Sequence, residues 1–259
     1  MGFGLIVVGD EILSGKRQDR HFARVAEMLR GRGLALAWAH FIGDDRAGIA
    51  ALLRRTFAGG DVVFCCGGIG ATPDDHTRQA AAAALGVELV LHPQAAELIA
   101  QRIAEMAAES GGSADLSLPE NRQRLKMGEF PAGAEILPNP FNRIPGFAVA
   151  RHYFVPGFPV MAWPMIEAVL DTRFTEYFHR DARGERSFLV FGLAESTVTP
   201  LMEAIERDYR DVRVFSLPSV GEDGGRRHIE LGVRGPAPAV DAAFDTLRAG
   251  VQALGGEIR

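Results

Sequence analysis

The stretch Asp61 to Thr77, DVVFCCGGIGATPDDHT, joins an apolar run to a glycine cluster and then to acidic residues ahead of an alanine-rich segment. Few folds accommodate that order. Val62 to Cys66 is a continuous apolar run, the pattern of a strand covered on both faces in a parallel sheet. Gly67, Gly68 and Gly70 then supply a turn that can reach positive φ and lets a ligand approach the main chain without a Cβ in the way. Thr72 stands at the expected helix N-cap, Pro73 at the first helical position and Asp75 three residues past the threonine. Thr72 to Asp75 therefore reads as a capping box for a helix running through Gln79 to Leu85. Strand, glycine turn and helix N-terminus in that order outline a phosphate site.

Asp74 and Asp75 complicate that outline, because a carboxylate beside a bound phosphate repels it unless a cation lies between them. The pair therefore implies a divalent metal, or else does no more than decorate a helix N-terminus, which acidic side chains favour anyway.

Phe3 to Val8 is a second fully apolar run and ends in Gly9-Asp10-Glu11; Leu34 to Ile42 reads as a strand ending in Gly43-Asp44-Asp45. Between them Phe22, Val25, Ala26 and Leu29 recur at helical spacing, and Ile49, Leu52, Leu53 and Phe57 give the next helix. This is a β-α-β-α-β run whose three acidic turns fall on one edge of a parallel sheet. Further on, Val87 to Leu91 is an expected strand and Pro93 to Ala108 a helix. Leu118 to Lys126 is an expected short helix carrying Asn121, Arg122, Arg124 and Lys126, and its basic residues read most simply as a solvated face, the alternative being a grip on phosphate. Glu135 to Leu137, Phe147 to Val149 and His152 to Val155 are expected short strands, and a helix follows Val155-Pro156-Gly157-Phe158-Pro159. Arg180 to Arg186 is polar enough for a linker. From Ser187 a strand, a helix capped by Ser196, two strands joined by a Gly221 to Gly225 loop, and a helix from Ala237 make a small α+β unit.

The totals narrow the function classes. A chain of 259 residues with 47% hydrophobic content suits two ordinary packed domains or one large one, and a net charge of -5 supplies no basic footprint for nucleic acid. Phe3 to Val8 is too short for a membrane span and lacks a signal-peptide pattern, so a cytoplasmic protein without membrane attachment is expected. The only cysteines, Cys65 and Cys66, are adjacent in a strand, face opposite ways and cannot bridge ordinarily. His21, His40, His76 and His92 lack zinc-ligand spacing. Trp38 and Trp163 are read as core or interface residues.

GGIGATPDDHT, with GDEILSG near the start and IGDD between them, resembles the molybdopterin-binding domain of the MoaB/Mog type, most closely its branch in the competence/damage-inducible protein A (CinA) family. Ile69 and Ala71 replace that branch's usual Leu and Pro. Gln18, Asp19 and Arg20 stand near its usual Asn and Thr, and Val160 and Met161 follow the Pro156-Gly157 turn where it has Glu and Met. Ile144-Pro145-Gly146-Phe147 and Gly192-Leu193-Ala194-Glu195-Ser196 extend the resemblance over nearly the whole chain, so the family's amidohydrolase domain is not expected within these residues. The resemblance implies a three-layer α/β/α domain with a mostly parallel sheet over residues 1–179, a small C-terminal α+β domain over 186–259, and a homo-oligomer, dimer or trimer.

It also implies the chemistry. The ligand is a small nucleotide or pterin phosphate, contacted by Gly9, Asp10, Glu11, Gly67, Gly68, Ile69, Gly70, Thr72, Pro156 and Gly157. Asp44, Asp74 and Asp75 are the expected catalytic residues and the ligands of a divalent metal (Mg, Mn or Co). One reaction is metal-dependent cleavage of the pyrophosphate in ADP-ribose. Another is the binding and adenylation of molybdopterin. A third reading, motivated by the departures at Gln18, Asp19 and Val160, is a binding protein without turnover.

Overall fold

Phe3–Val8 (β1) is buried at every position because successive side chains enter different cores. Phe3, Leu5 and Val7 pack into one apolar cluster, Ile6 and Val8 into another. Such a strand must lie inside a sheet covered on both faces. The computed structural model, which describes residues 2–180, 183–221 and 226–259, builds that sheet.

The first unit, Met1–Phe178, continues after β1 with a one-turn helix α1 (Asp10–Leu13), α2 (His21–Arg30), β2 (Leu36–Ile42), α3 (Arg46–Phe57), β3 (Val62–Cys66), α4 (Thr77–Leu85), β4 (Leu89–Leu91) and α5 (Pro93–Ser110). Then come α6 (Pro119–Leu125), β5 (Glu129–Pro131), β6 (Glu135–Leu137), β7 (Gly146–Val149), β8 (His152–Val155) and α7 (Pro159–Arg173). The sheet runs β2-β1-β3-β8-β7-β6. The first four strands are parallel, and β7 and β6 join antiparallel. Val25, Met28 and Leu29 of α2 with Ala162, Met165 and Ile166 of α7 cover one face. Ile49 and Leu53 of α3, Ala80 and Ala81 of α4, and Ala95 of α5 cover the other. This is the expected three-layer α/β/α arrangement. Cys65 and Cys66 enter opposite cores as alternation requires, and burial raises both thiols far above the usual range, which removes them as nucleophiles. Trp38 lies over Gly4, where a Cβ would strike its ring, and its Nε1 donates to Asp61 Oδ2 at 2.9 Å.

Several local expectations give way to tertiary structure. Helix α4 begins at Thr77, not at Pro73, and Thr72 to Asp75 closes a turn ahead of it. Leu89–Leu91 pairs antiparallel with β5 as a separate ribbon and does not enter the main sheet. Asn121, on the same short helix as those basic residues, is 0% exposed; its Nδ2 donates to the carbonyls of Ser113 (3.0 Å) and Asp115 (2.9 Å) and fastens the loop before α6.

The second unit, His179–Arg259, contains β9 (Arg183–Phe191), α8 (Glu195–Asp208), β10 (Arg213–Ser219), β11 (His228–Pro236), α9 (Ala237–Ala253) and β12 (Glu257–Ile258). Its antiparallel sheet, β10-β11-β9-β12, packs Val190, Leu231 and Val233 against Val198 of α8 and Val240 and Leu247 of α9. Strand β9 reaches back into the stretch read as a linker, and Ala194, not Ser196, caps α8. Of the Gly221 to Gly225 loop, residues 222–225 lie outside the described residues. No described helix is long and apolar enough to cross a membrane.

Candidate functional site

Four parallel strands end on one edge of the first unit, and hydrogen bonds between neighbours fasten their turns together. Gly9 N donates to Ile42 O and Gly67 N to Val155 O, each at 3.0 Å. Asp10 N donates to Asp44 Oδ2 (2.9 Å) while Asp44 N donates to Asp10 Oδ1 (3.2 Å), a reciprocal clasp between the ends of β1 and β2. The fourth turn packs directly on the third: a Cβ on Gly157 would sit 3.3 Å from Gly67 Cα. His21 holds that fourth turn, its buried ring reaching Gly157 O through Nε2 at 3.0 Å. Between these turns lies a cleft of about 440 Å³.

The glycine turn after β3 is polarised. Thr77 Oγ1 donates to Gly67 O at 3.0 Å, Thr77 N to Gly68 O at 2.9 Å, Arg78 Nη2 to Gly70 O at 2.5 Å, and Gln123 Nε2 to Ala71 O. These four carbonyls are thus drawn into the protein. The amides of Gly68, Ile69, Gly70 and Ala71 have no acceptor among the described residues, and all four residues line the cleft. A run of main-chain donors without protein acceptors is an anion receptor. Glycine is required at two positions: Gly67 (φ 104) and Gly68 (φ 67) hold left-handed backbone, and a Cβ on them would strike Val8 O and Thr77 Oγ1 respectively. Arg78 is 2% exposed; besides Gly70 it bonds the carbonyls of Lys126 and Glu129, so one guanidinium ties the turn to the chain after α6.

The acidic residues divide by what their oxygens already do. Asp45 caps α3, accepting from Ala47 N (3.2 Å) and Gly48 N (2.8 Å). Asp10 is spent on the clasp and does not line the cleft, whereas Glu11, Asp44, Asp74 and Asp75 do. Asp75 Oδ2 accepts from Thr72 N at 2.9 Å and from its hydroxyl, shaping the turn. The exposed Asp74 carboxyl is held below its ordinary range by the neighbouring Thr72 side chain first and by its own amide second. Asp44 is different. Burial raises its pKa; the Asp10 amide opposes that, and the negative Asp10, Glu11 and Asp74 add to it. Among the described residues no three His, Cys, Asp or Glu are arranged to hold a metal by themselves. Asp44, Asp74 and Asp75 line the cleft without forming such a group.

The remaining expected ligand residues, Gly9, Gly67, Thr72, Pro156 and Gly157, line the cleft as well. Sequence reasoning missed its other wall. Asn139 donates through Nδ2 to Asn142 Oδ1 (2.8 Å) and Ile144 O (3.0 Å), folding the 139–144 loop back on itself, and Asn142 Nδ2 reaches Met161 Sδ at 3.8 Å. Asn-Pro-Phe-Asn at 139–142 was the available signal, since asparagine beside proline marks a side-chain-fastened turn. Arg78 and Gln123 left no local signal; they act across 48 and 52 residues of chain.

Comparison with known proteins agrees with this fold. A family model described as a probable molybdopterin binding domain matches residues 4–176. A CinA-like protein of Citrifermentans bemidjiense is 34% identical over 211 residues, covering 78% of this chain and 47% of its own. A protein of Aeropyrum pernix is 31% identical over 265 residues, 98% of this chain and 95% of its own. The crystal structure of CinA, of unknown function, from Thermoplasma acidophilum superposes with a TM-score of 0.54 at 25% identity, over 66% of this chain and 98% of that one. The chain spans about half the length of the CinA-like relatives it matches (47%, 58% and 50%).

Proposed function

The chain belongs to the CinA-like family and carries its molybdopterin-binding domain, and on that premise we propose that it binds a nucleotide pyrophosphate of the ADP-ribose class and hydrolyses it with a divalent cation. One observation carries the reading: the carbonyls of Gly67, Gly68, Gly70 and Ala71 are bonded to protein, while the amides of Gly68, Ile69, Gly70 and Ala71 have no acceptor among the described residues. That turn suits a dianionic phosphate. The cluster of Asp44, Asp74 and Asp75 would repel the same phosphate, and a cation between them removes the conflict. Asp74 and one oxygen of Asp75 would share it with the ligand's phosphates, and it would neutralise charge on the leaving phosphate.

Hydrolysis adds water across one P–O–P bond and yields AMP and ribose 5-phosphate. Asp44 is the group to take the water's proton, since its raised pKa brings it nearer to a working base. The amides at 68–71 hold the charge that develops on phosphate oxygen. Purified protein with magnesium, manganese or cobalt is expected to release AMP from ADP-ribose, and Asp44→Asn to lower kcat by about a hundredfold to ten-thousandfold. Nucleotide binding in calorimetry without any AMP released would turn the reading into that of a binding protein without turnover. The match to the molybdopterin-binding model over 4–176 favours a second reading, a pterin phosphate in the same cleft. Retention of a pterin by the purified protein, with adenylation from ATP, would select it.

A further inference from the structure

On the reading that the cleft takes a phosphate joined to a ring, we propose that Phe158 is its specificity-determining residue, the surface on which a planar heteroaromatic ring stacks beside the phosphate. Phe158 lines the cleft and is 57% exposed, so its ring is not used by the core. A lone exposed apolar side chain needs no explanation. This one has company: Ile144, Pro145 and Met161 line the same cleft, and the Asn142 Nδ2 to Met161 Sδ contact (3.8 Å) fastens the loop bearing Ile144 to the first turn of α7.

Its place next to the phosphate follows from the main chain. Gly157 packs on Gly67, and consecutive Cα atoms are about 3.8 Å apart, so the aromatic ring is rooted one residue from the anion-binding turn. Phe158 is also the N-cap of α7, its carbonyl accepting from Met161 N and Ala162 N at 2.9 Å each. Pro159 fixes the following φ. The backbone under the ring is thereby set before any ligand arrives. A π-face accepts any flat base, purine or pterin, and rejects nothing on hydrogen-bond grounds. The residue therefore selects ring-bearing phosphates over ring-free ones.

The test is a set of calorimetric titrations of the full chain with four probes: pyrophosphate and ribose 5-phosphate, which have no ring, and AMP and neopterin monophosphate, which do. The expected result is that AMP, neopterin monophosphate or both bind the native protein more tightly than ribose 5-phosphate. Phe158→Ala should weaken the ring-bearing ligand about tenfold to a hundredfold and leave pyrophosphate unchanged. Phe158→Trp should restore binding, and Phe158→Leu, which keeps apolar bulk without a π-face, should not. The two ring-bearing probes separate a nucleotide from a pterin. Equal affinity of native protein and Phe158→Ala for the ring-bearing ligand, with pyrophosphate still held, would overturn the role of Phe158 alone. Failure of the native protein to hold any of the four probes would overturn the anion-binding reading with it.

Discussion

His152 sits on β8 with no exposed surface and both ring nitrogens engaged. Nδ1–H donates to Ala150 O at 2.9 Å, which leaves Nε2 to accept the Thr56 hydroxyl at 2.8 Å. Burial lowers its pKa to about 4, the Ala150 carbonyl opposing only weakly. The folded protein therefore resists a proton that the unfolded chain accepts near pH 6.5. Between those values the unfolded state binds more protons, so stability is full above about pH 6.5 and falls as pH drops toward 4, by on the order of 3 kcal/mol. Urea unfolding of native protein and His152→Gln across pH 4–7 checks this. The native protein should show the steeper acid loss, and equal slopes would assign it to carboxylates. Asp44 sits in the cleft, where burial first and its acidic neighbours after it raise its pKa. Its protonation should appear in ligand affinity more than in stability.

At the scale of elements, much of the strand and helix order is legible because each apolar run has one job. Phe3–Val8 and Val62–Cys66 serve two cores, and no surface strand tolerates that pattern. The helix after the glycine turn starts later than its capping box suggests because Thr72 and Asp75 close an isolated turn, Thr72 N and its hydroxyl donating to the Asp75 carboxylate and Asp75 N to Thr72 O. Arg78 and Gln123 were illegible for a physical reason: they bond main-chain carbonyls, which any donor of suitable reach could serve, so no residue pattern encodes the contact. Their effect is nonetheless specific to the site. Gln123 is exposed, and its amide reaches Ala71 O from α6. Gln123→Ala should lower stability by no more than about 1 kcal/mol and weaken pyrophosphate binding by releasing the Ala71 carbonyl. Calorimetry beside urea unfolding separates the two effects. Equal pyrophosphate affinity in the variant would mean that the turn holds its shape without α6.

For the whole molecule, the prediction concerns independence. Among the described residues the cleft is lined by ones between Val8 and Met161 alone, and the cores of the first unit draw on residues from Phe3 to Phe178. The third core draws on Phe188 to Ile258 alone. A sequence shows a change of composition near Arg180 but not whether the cores on either side share side chains, since that depends on packing across long separations. Here none of the described core clusters spans both units. We therefore propose residues 1–179 and 186–259 as domains able to fold alone, of sizes at which autonomous folding is ordinary. A 1–179 fragment should unfold cooperatively and bind pyrophosphate and AMP with the affinities of the full chain. The far-ultraviolet dichroism of the two fragments should sum to that of the whole. If the 1–179 fragment folds cooperatively yet loses the ligand, a group from the second unit completes the site. If it does not fold, the division of the chain into autonomous domains is wrong.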